Sequence, residues 1–253
     1  MSEPRLKENA GGKRHAARET QRQAPAEETV AGVRLTHPDR VLFPAQGVTK
    51  RDLAGYYEAI EEWILPAIAK RPLALVRCPR GSEEACFFQK HPGPAIDASV
   101  PRLAIAQRTA TREHVYVRRL ADLVALVQAG ALELHAWNSR VDDLERPDLL
   151  IFDLDPGEDA SWRLVLETAR SLRDRLEKLG FASFPRTTGG AGLHVVVPLV
   201  PSAGWDDVKA FARGIALSHV HDHRDQATAN IRKADRRGKI FIDYLRNARG
   251  ATA

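Results

Sequence analysis

Two aspartates one residue apart end an apolar run in the stretch DLLIFDLDPGED, residues 148–159. The run at 149–152 predicts a buried strand. Side chains alternate along a strand, so Asp153 and Asp155 are expected on one face. Carboxylates at the polar end of a buried strand are costly unless something neutralises them. The first question is therefore what binds between Asp153 and Asp155.

A third aspartate, Asp243, lies in another apolar stretch, KIFIDYL at 239–245. If the two strands are neighbours, three carboxylates converge, and such hard oxygen ligands suit magnesium or manganese. Two such ions can bridge a triphosphate and an attacking hydroxyl in phosphoryl transfer. The alternative is that the aspartates cap strand ends or pair with surface arginines, which is the better interpretation of an isolated D-x-D. The third aspartate and the next motif favour the metal site.

A glycine-rich stretch, RTTGGAGLHVVV at 186–197, lies between the two aspartate strands. Three glycines in four positions let backbone N–H groups approach an anion closely. Thr187 and Thr188 add hydroxyl groups, and His194 opens the following strand, where it can donate to a phosphate. Turns between strands also use glycine, so it is the position between the aspartates that predicts a phosphate site.

Hydrophobic periodicity predicts the elements that position these motifs. Thr49 is a predicted N-cap for a helix that runs to about Ala69. Further helices are predicted at 121–130, 160–179 and about 205–217, and strands at 72–78, 114–120, 132–137, 193–199 and 239–245, besides the strand of Asp153. Strands and helices alternate without a regular βαβ period. The prediction is an α+β fold with a mixed β-sheet core and flanking helices, in one globular unit.

Composition limits the class of protein. The 253 residues are 43% apolar and 28% charged, as in ordinary soluble proteins. No stretch is long enough to cross a membrane, and the N-terminus lacks the apolar core of a signal peptide. A cytoplasmic protein with no membrane partner is predicted. Cys78 and Cys86 are predicted to be reduced, because they provide neither a disulfide framework nor a zinc pattern.

Charge is unevenly distributed along the chain. Residues 224–249 hold eight basic and three acidic residues, a local excess of +5 that equals the formal net charge of the whole chain. Such an excess permits a nucleic-acid partner without proving one. Residues 1–33 lack apolar periodicity and are predicted to be a disordered tail, so the globular unit is expected to begin at about Arg34.

Several motifs resemble, together and in order, the polymerase domain of the bacterial ATP-dependent DNA ligase D family, within the archaeo-eukaryotic primase superfamily. They are LTHPDRVLFP, RPLALVRCPRG, FFQKH, WNSRVDDLERPD, FDLDP, TTGGAGLHVVVPL and RRGKIFIDYLRN, spread over 35–253. The resemblance implies a primase-type fold and a template-directed nucleotidyltransferase. Such an enzyme fills gaps or extends DNA ends in non-homologous end joining, and ribonucleotides are often preferred. The implied location is at the nucleoid.

The resemblance also implies ligands and partners. These are DNA ends or gapped DNA, nucleoside triphosphates, two manganese or magnesium ions, and possible partners in Ku and a separate DNA ligase. The implied site residues are the metal ligands Asp153, Asp155 and Asp243, the nucleotide-binding residues Thr188, His194 and Lys239, the template-binding pair Phe87 and Phe88, and the 5′-phosphate-binding residues His37, Arg40 and Lys50. Alternatives stay open, because CFF at 86–88 can be core and the basic residues can be ordinary surface charges.

Two departures from the family pattern bear on activity. Where the family reads Ser-Gly-Gly-Lys-Gly, this chain has Thr188 and Ala191, so a triphosphate-binding lysine is missing. The family also continues past RGATA through a Pro-Tyr-Ser segment with a triphosphate-binding arginine, whereas this sequence stops at Ala253. A weakly active, stand-alone polymerase domain is therefore expected. The alternative is a non-catalytic DNA-end-binding module with a degraded triphosphate clamp.

Two other interpretations of motifs are weaker. A phosphohydrolase that uses D-x-D as nucleophile and acid usually carries threonine two residues after the second aspartate, where this chain has Gly157. The histidines of HVHDH at 219–223 alternate, which suits a metal site on a strand but not one face of a helix. His135 and Trp137 lie in a family-like stretch, where burial is as strongly expected as substrate contact.

Overall fold

A computed structural model describes residues 28–107 and 109–252, and within that part no helix is long and apolar enough to cross a membrane. The described chain begins with an antiparallel hairpin of β1 (Glu28–Val30) and β2 (Val33–Leu35). This hairpin corrects the predicted tail of residues 1–33, because 28–33 belong to an ordered pair of strands. The remainder of the predicted tail, residues 1–27, lies outside the described residues.

The first half of the chain builds a five-stranded sheet packed against helices. Its elements are β3 (Val41–Phe43), β4 (Val48–Thr49), α1 (Lys50–Ala59), α2 (Glu61–Ile68), β5 (Leu73–Arg77), β6 (Phe87–Gln89), β7 (Arg102–Ala106), β8 (Thr111–Val115), α3 (Leu120–Gln128) and β9 (Ala131–Ala136). The strands β6, β5, β8 and β7 are neighbours in that order, and β9 also pairs with β5. The core of this half includes apolar residues of α1, α3 and β5.

Two predictions for this half need correction. The helix predicted from Thr49 to Ala69 is two helices, because the backbone of Ile60 leaves the helical region and α2 restarts at Glu61. The strand predicted at 114–120 ends at Val115. Val117 is buried like a strand residue, but its carbonyl accepts a bond from the N–H of Lys70 rather than joining a ladder. The Thr49 N-cap is confirmed by its capping box with Asp52.

The second half forms another five-stranded sheet with two long helices. Its elements are β10 (Leu149–Pro156), α4 (Trp162–Lys178), β11 (Phe184–Thr187), β12 (Leu193–Pro198), α5 (Trp205–Asp222), β13 (Ala227–Thr228) and β14 (Ile240–Asp243). The strand order is β11, β12, β10, β14, β13, and all pairs are antiparallel except β13 with β14. The prediction of an α+β fold with a mixed-sheet core is confirmed.

The two faces of the second sheet have different chemistry because strand side chains alternate. Leu150, Phe152 and Leu154 of β10 are fully buried in a core shared with α4 and α5. The intervening side chains of β10 point to the opposite face, and they include Asp153 and Asp155. The apolar contacts of one face therefore fix the strand that presents the carboxylates on the other.

Two further predictions concern cysteines and histidines. Cys78 and Cys86 are joined by a disulfide, which corrects the prediction that both are reduced. The histidine stretch belongs to α5 and its C-cap, not to a strand, so the three rings do not share a face. His219 is buried against His223, and burial first, then the charge of His223, lowers the pKa of His219 to about 4.

Candidate active site

One row of polar side chains crosses four strands of the second sheet. The register pairs Arg186 of β11 with His194 of β12, and His194 in turn with Asp153 of β10. Asp153 also lies opposite Asp243 of β14. Directly opposed residues project to the same face of a sheet. The row therefore brings two carboxylates, an imidazole and a guanidinium together on the face away from α4 and α5.

A hydrogen-bonded chain runs along this row. The Nη2 atom of Arg186 lies 2.7 Å from Nδ1 of His194, and Nε2 of His194 lies 3.4 Å from Oδ1 of Asp153. Because a guanidinium only donates, Nδ1 accepts and the ring proton of neutral His194 is on Nε2, facing Asp153. The chain thus orients one oxygen of Asp153 and leaves its other oxygen for a different cation.

Arg246 supplies that second cation. Its Nε lies 3.2 Å from Oδ2 of Asp153 and 3.2 Å from Oδ2 of Asp243. Burial alone would raise the pKa of Asp153, but His194 and Arg246 outweigh it and the net pKa of Asp153 is lowered. The pKa of Asp243 is raised, chiefly by burial, although the Leu245 N–H and Arg246 act against this. One guanidinium therefore partly neutralises a pair of buried carboxylates.

Asp155 is the least compensated of the three carboxylates. It lies one pleat beyond Asp153, opposite Phe241 of β14. Burial first, and then the negative charge of Asp153, raise the pKa of Asp155 above its ordinary value. The Arg236 guanidinium, whose Cζ sits 3.6 Å from the centroid of the Phe241 ring, contributes a smaller opposing effect. A carboxylate in this setting gains stability from any further cation.

The three carboxylates provide the oxygen ligands that a hard divalent cation prefers, and they lie on one face of the sheet. Their oxygens, however, are not gathered around one point. In the described residues no group of three or more His, Cys, Asp or Glu side chains is arranged to hold a metal ion. The register still places Asp153, Asp155 and Asp243 on one face, and Arg246 lies where two of them meet. A metal ion would therefore have to take over part of the role of Arg246, and the metal assignment stays a prediction.

The side chain of Asn247 fixes where Arg246 can reach. Asn247 is fully buried, and its side chain accepts from the N–H of Ile151 at 2.8 Å and donates to the carbonyl of Ile151 at 2.7 Å. It also donates to the carbonyl of Tyr244 at 2.9 Å. The side chain thereby mimics one more ladder pair on β10 after β14 has ended. This holds Arg246 close to the carboxylates.

The glycine-rich loop lies at the end of β10, beside the carboxylates. A Cβ at Gly192 would meet the carbonyl oxygen of Leu154 at 2.8 Å and Oδ1 of Asp155 at 3.4 Å. The Thr188 hydroxyl donates to the carbonyl of Gly192 and accepts from the N–H of Gly190, each at 3.2 Å. Gly192 is therefore required for the close approach of the loop to the strand, and Thr188 closes the loop upon itself.

Replacement of Gly192 by Ala is expected to destabilise the protein more than replacement of Gly190 by Ala. The added methyl group at Gly192 must displace the backbone at Leu154, whereas at Gly190 it meets only Thr188 Oγ1 at 3.7 Å, an ordinary contact. We expect about 1–3 kcal/mol of lost stability for Gly192→Ala and less than about 0.5 kcal/mol for Gly190→Ala. Urea unfolding of both variants is the measurement, and equal losses would contradict the close approach.

Three arginines of the site were missed by sequence reasoning, and one predicted lysine points elsewhere. Arg186, Arg236 and Arg246 surround the carboxylates, and the signal for Arg246 was its position three residues after Asp243. Lys239 precedes β14, but its ammonium donates to the carbonyl of Arg224 at 2.7 Å. Its predicted role toward nucleotide is untested.

Phe87 and Phe88 lie on the short edge strand β6 and are not core. They are 47% and 49% exposed, although large aromatic side chains are ordinarily well buried. The Arg77 guanidinium lies over the Phe87 ring at 5.3 Å, and Phe88 contacts the His135 ring edge-to-face at 5.5 Å. Trp137 is buried in a small core cluster. His135 thus remains beside the exposed aromatic pair, whereas Trp137 is structural.

The predicted 5′-phosphate residues lie close together, but several of their hydrogen-bonding groups are already paired within the protein. The Lys50 N–H donates to the carbonyl of Arg40, and the Arg40 N–H donates to the carbonyl of His37. Lys50 is buried, and its ammonium donates to the carbonyl of Thr36 at 2.8 Å. The pKa of Lys50 is lowered, first by burial and then by the charge of Arg40.

The N–H groups at the start of α1 already have partners. The N–H of Lys50 bonds to Arg40, that of Arg51 bonds to Pro38, and that of Asp52 bonds to the Thr49 hydroxyl. Any anion held here would therefore depend on side chains, because the usual donors of a helix N-terminus are already engaged.

The chain is similar to known proteins of one family. The model of the LigD primase-polymerase domain matches residues 49–253. The multifunctional non-homologous end joining protein LigD of Pseudomonas aeruginosa is 38% identical over 235 residues, 88% of this chain and 26% of that protein. The protein of the same name from Mycolicibacterium smegmatis is 32% identical over 217 residues, 85% of this chain and 28% of that protein. The chain thus spans about a quarter of the length of these relatives.

A solved structure has the same fold. The polymerase domain from Mycobacterium tuberculosis ligase D, in complex with DNA, superimposes with a TM-score of 0.83 at 32% sequence identity. The match covers 87% of this chain and 80% of that chain. The similarity therefore extends over most of the chain.

Proposed function

Because this chain belongs to the family of LigD primase-polymerase domains, we propose that it is a template-directed nucleotidyltransferase acting on DNA ends or gaps in non-homologous end joining. The observation that carries the proposal is the row on the second sheet, with Asp153 opposite Asp243 and Asp155 one pleat away. Two buried carboxylates and a half-buried third on one face, of which two have a raised pKa, are an unfavourable arrangement for stability alone. A function in holding cations accounts for it.

The proposed cofactor is a pair of manganese or magnesium ions, held by Asp153, Asp155 and Asp243. When bound, such ions neutralise the triphosphate and lower the charge on the reacting oxygens. The chain's own residues do the rest. His194 presents its Nε2–H toward the carboxylate row, and Arg236 and Arg246 place positive charge beside it. The exposed rings of β6 offer a stacking surface for template bases.

The test is primer extension on a gapped duplex with manganese or magnesium, comparing ribonucleotides with deoxynucleotides. Template-dependent addition is expected, with the ribonucleotide added faster. Release of phosphate from small phosphoesters without primer would instead support the phosphohydrolase, although Gly157 makes it a poor fit. A Cβ at Gly157 would meet the Arg236 carbonyl oxygen at 1.9 Å, so this glycine is required by the fold.

A second candidate function is a DNA-end-binding module without turnover. It is favoured by Ala191 in the loop, by the Thr188 hydroxyl turned inward to Gly192, and by the engagement of Lys239 with a carbonyl. The glycine-rich loop therefore carries no lysine at position 191, its Thr188 hydroxyl is already bonded, and Lys239 does not point toward a triphosphate. DNA binding without any incorporation, with both metal ions and both nucleotide classes, would establish it. For the polymerase and for the binding module alike, we propose association with Ku and with a separate DNA ligase.

We expect the cluster of His37, Arg40 and Lys50 to favour a terminal phosphate. Arg40 can grip a phosphate with two parallel donors, and a terminal phosphate carries more charge than an internal one. Gapped DNA with a downstream 5′-phosphate should bind about tenfold more tightly than the 5′-hydroxyl form. The double change of Arg40 and Lys50 to Ala should remove the difference, measured by fluorescence anisotropy at one fixed salt concentration.

The matched control for that experiment is Arg163→Ala on α4. The Arg163 side chain is 88% exposed, so its loss removes charge without touching the cluster. It should weaken both DNA substrates equally and only slightly. Equal affinity of the unaltered protein for the two DNA ends would remove the 5′-phosphate pocket from the proposal.

A further inference from the structure

The disulfide between Cys78 and Cys86 lies at the loop end of the β5–β6 hairpin. The β5–β6 register ends at Arg77 opposite Phe87, so Cys78 and Cys86 are the next opposed pair, with Cα atoms 4.3 Å apart. This spacing is that of a non-hydrogen-bonded pair in an antiparallel ladder. The disulfide therefore takes the place of a ladder pair and closes the β5–β6 hairpin.

The hairpin loop between the cysteines connects two groups of proposed DNA contacts. On one side, the carbonyl of Pro79 accepts from Nη1 of Arg40 at 2.8 Å. On the other side, Cys86 immediately precedes the exposed Phe87 and Phe88. The N–H of Ser82 also donates to the carbonyl of Leu42 at 2.7 Å. A change in the loop would thus reach both the aromatic pair and Arg40.

Without the disulfide, β6 would depend on its short ladder with β5 and on a few side-chain contacts. The strand has three residues, lies at the edge of the sheet and pairs only with β5 within the described part of the chain. Edge strands this short are weakly stable. The covalent link directly before Phe87 therefore adds a restraint on the two rings to those that the ladder, Arg77 and His135 provide.

The two sulfur atoms differ in access. Cys78 is 3% exposed and its N–H donates to the carbonyl of Gly130, whereas Cys86 belongs to the exposed part of the loop. A thiolate from outside can reach Cys86 Sγ, and exchange depends on such access. In compartments that keep thiols reduced, the disulfides that do form are mostly redox-sensing or catalytic.

We propose that Cys78 and Cys86 form a thiol–disulfide exchange site whose redox state sets the affinity of the protein for DNA with an unpaired template end. The inference rests on the proposed function, because the affected residues are its template contacts. A dithiol reductant supplies the electrons. Its thiolate attacks Cys86 Sγ, the bond to Cys78 breaks, and Cys78 leaves as a thiolate that takes up a proton.

The second thiol of the reductant then completes the exchange. It attacks the mixed disulfide, forms an internal disulfide in the reductant and releases Cys86 as a thiol. Two electrons and two protons have passed to the protein, which now carries two thiols. The β5–β6 hairpin is open at its loop end, and Phe87 and Phe88 lose their fixed positions.

The experiment compares the full chain before and after treatment with dithiothreitol. Iodoacetamide labelling with mass spectrometry counts the free thiols, and fluorescence anisotropy measures affinity for a duplex with a single-stranded template overhang. Reduction should weaken overhang binding about tenfold, roughly the loss of one base-stacking contact. Binding to a blunt duplex, which offers no unpaired base, should change less than about twofold by the same reasoning.

A double variant, Cys78→Ala with Cys86→Ser, is the matched control. It should bind the overhang as weakly as the reduced protein and should not respond to dithiothreitol. Unchanged overhang affinity after complete labelling of both thiols would overturn the proposal. So would full labelling of air-oxidised protein without any reductant, because the disulfide would then not form.

Failure of the proposed function is distinguishable from failure of this inference. If neither redox form binds DNA, the template contacts are wrong but the exchange site can still be judged by hydrogen exchange. Faster exchange at residues 79–89 after reduction, with no change in β10, would support the redox-controlled hairpin. No change at residues 79–89 would overturn it.

Discussion

Replacement of Asp155 by Asn is expected to lower nucleotide incorporation by about a thousandfold or more, equivalent to about 4 kcal/mol of transition-state stabilisation. The same variant should be at least as stable as the unaltered protein. Burial and the neighbouring charge of Asp153 raise the pKa of Asp155, so the ionised carboxylate is disfavoured in the fold. Removing its charge relieves that repulsion while it removes a proposed metal ligand.

The opposed signs of these two effects make the prediction specific. Replacing a residue that is needed only for the fold lowers stability and activity together. Replacing a charge that is kept for function lowers activity but leaves stability unchanged or higher. Primer extension under single-turnover conditions and urea unfolding are the two measurements. DNA affinity should stay within about twofold, because a carboxylate opposes phosphate except through a bound cation.

Asp174→Asn is the matched control for Asp155→Asn. Asp174 lies on α4, is about half exposed and pairs only with Arg173 among the contacts in the described chain. Its replacement should leave extension unchanged. Near-normal extension by Asp155→Asn would refute the metal assignment, and a large loss of stability would show that the carboxylate is structural.

Replacement of Arg71 by Met is expected to destabilise the protein by about 3 kcal/mol, because it removes the buried partner of an ion pair and leaves Asp148 paired with the more exposed Arg140 alone among the described residues. Arg71 is 3% exposed and binds Asp148 with two hydrogen bonds of 2.6 Å and 2.8 Å. It also donates to the carbonyl of Ala67. Asp148 directly precedes β10, so the pair ties the strand of the carboxylates to the first half of the fold.

Arg140 provides the matched control for Arg71, because it contacts the same carboxylate. Nε of Arg140 lies 3.0 Å from Asp148 Oδ2, but the Arg140 side chain is 39% exposed. Arg140→Met should therefore cost less than about 1 kcal/mol. Chemical unfolding of both variants tests the comparison, and similar losses would mean that burial does not distinguish the two pairs.

The sequence by itself determined the local elements that carry the site. Apolar runs bounded by turn residues gave the positions of β10, β12 and β14, and the period of two along a strand placed Asp153 and Asp155 on one face. The family motifs, taken in order, established the fold. These features depend on residues that are close along the chain, where periodicity and motif spacing are directly readable.

The tertiary structure decided how distant residues meet. The strand order placed Asp243 opposite Asp153, which the sequence could state only as a condition. It also brought Arg186 and Arg246 to the carboxylates, because cross-strand register and a buried amide, not local spacing, set their positions. Pairing across the sheet is fixed by packing of the opposite face, and a shift of one residue would turn every side chain over.

The same reason explains why the N-terminus of α1 and the two cysteines look different in the sequence and in the folded chain. A helix N-terminus looks open in sequence, but Arg40 and Pro38 reach it from a preceding loop and use its N–H groups. Cys78 and Cys86 look like two unrelated thiols until the β5–β6 register places them opposite each other. Local sequence does not show which backbone N–H groups will be hydrogen-bonded by a distant loop, because the two segments become neighbours only when the chain is folded.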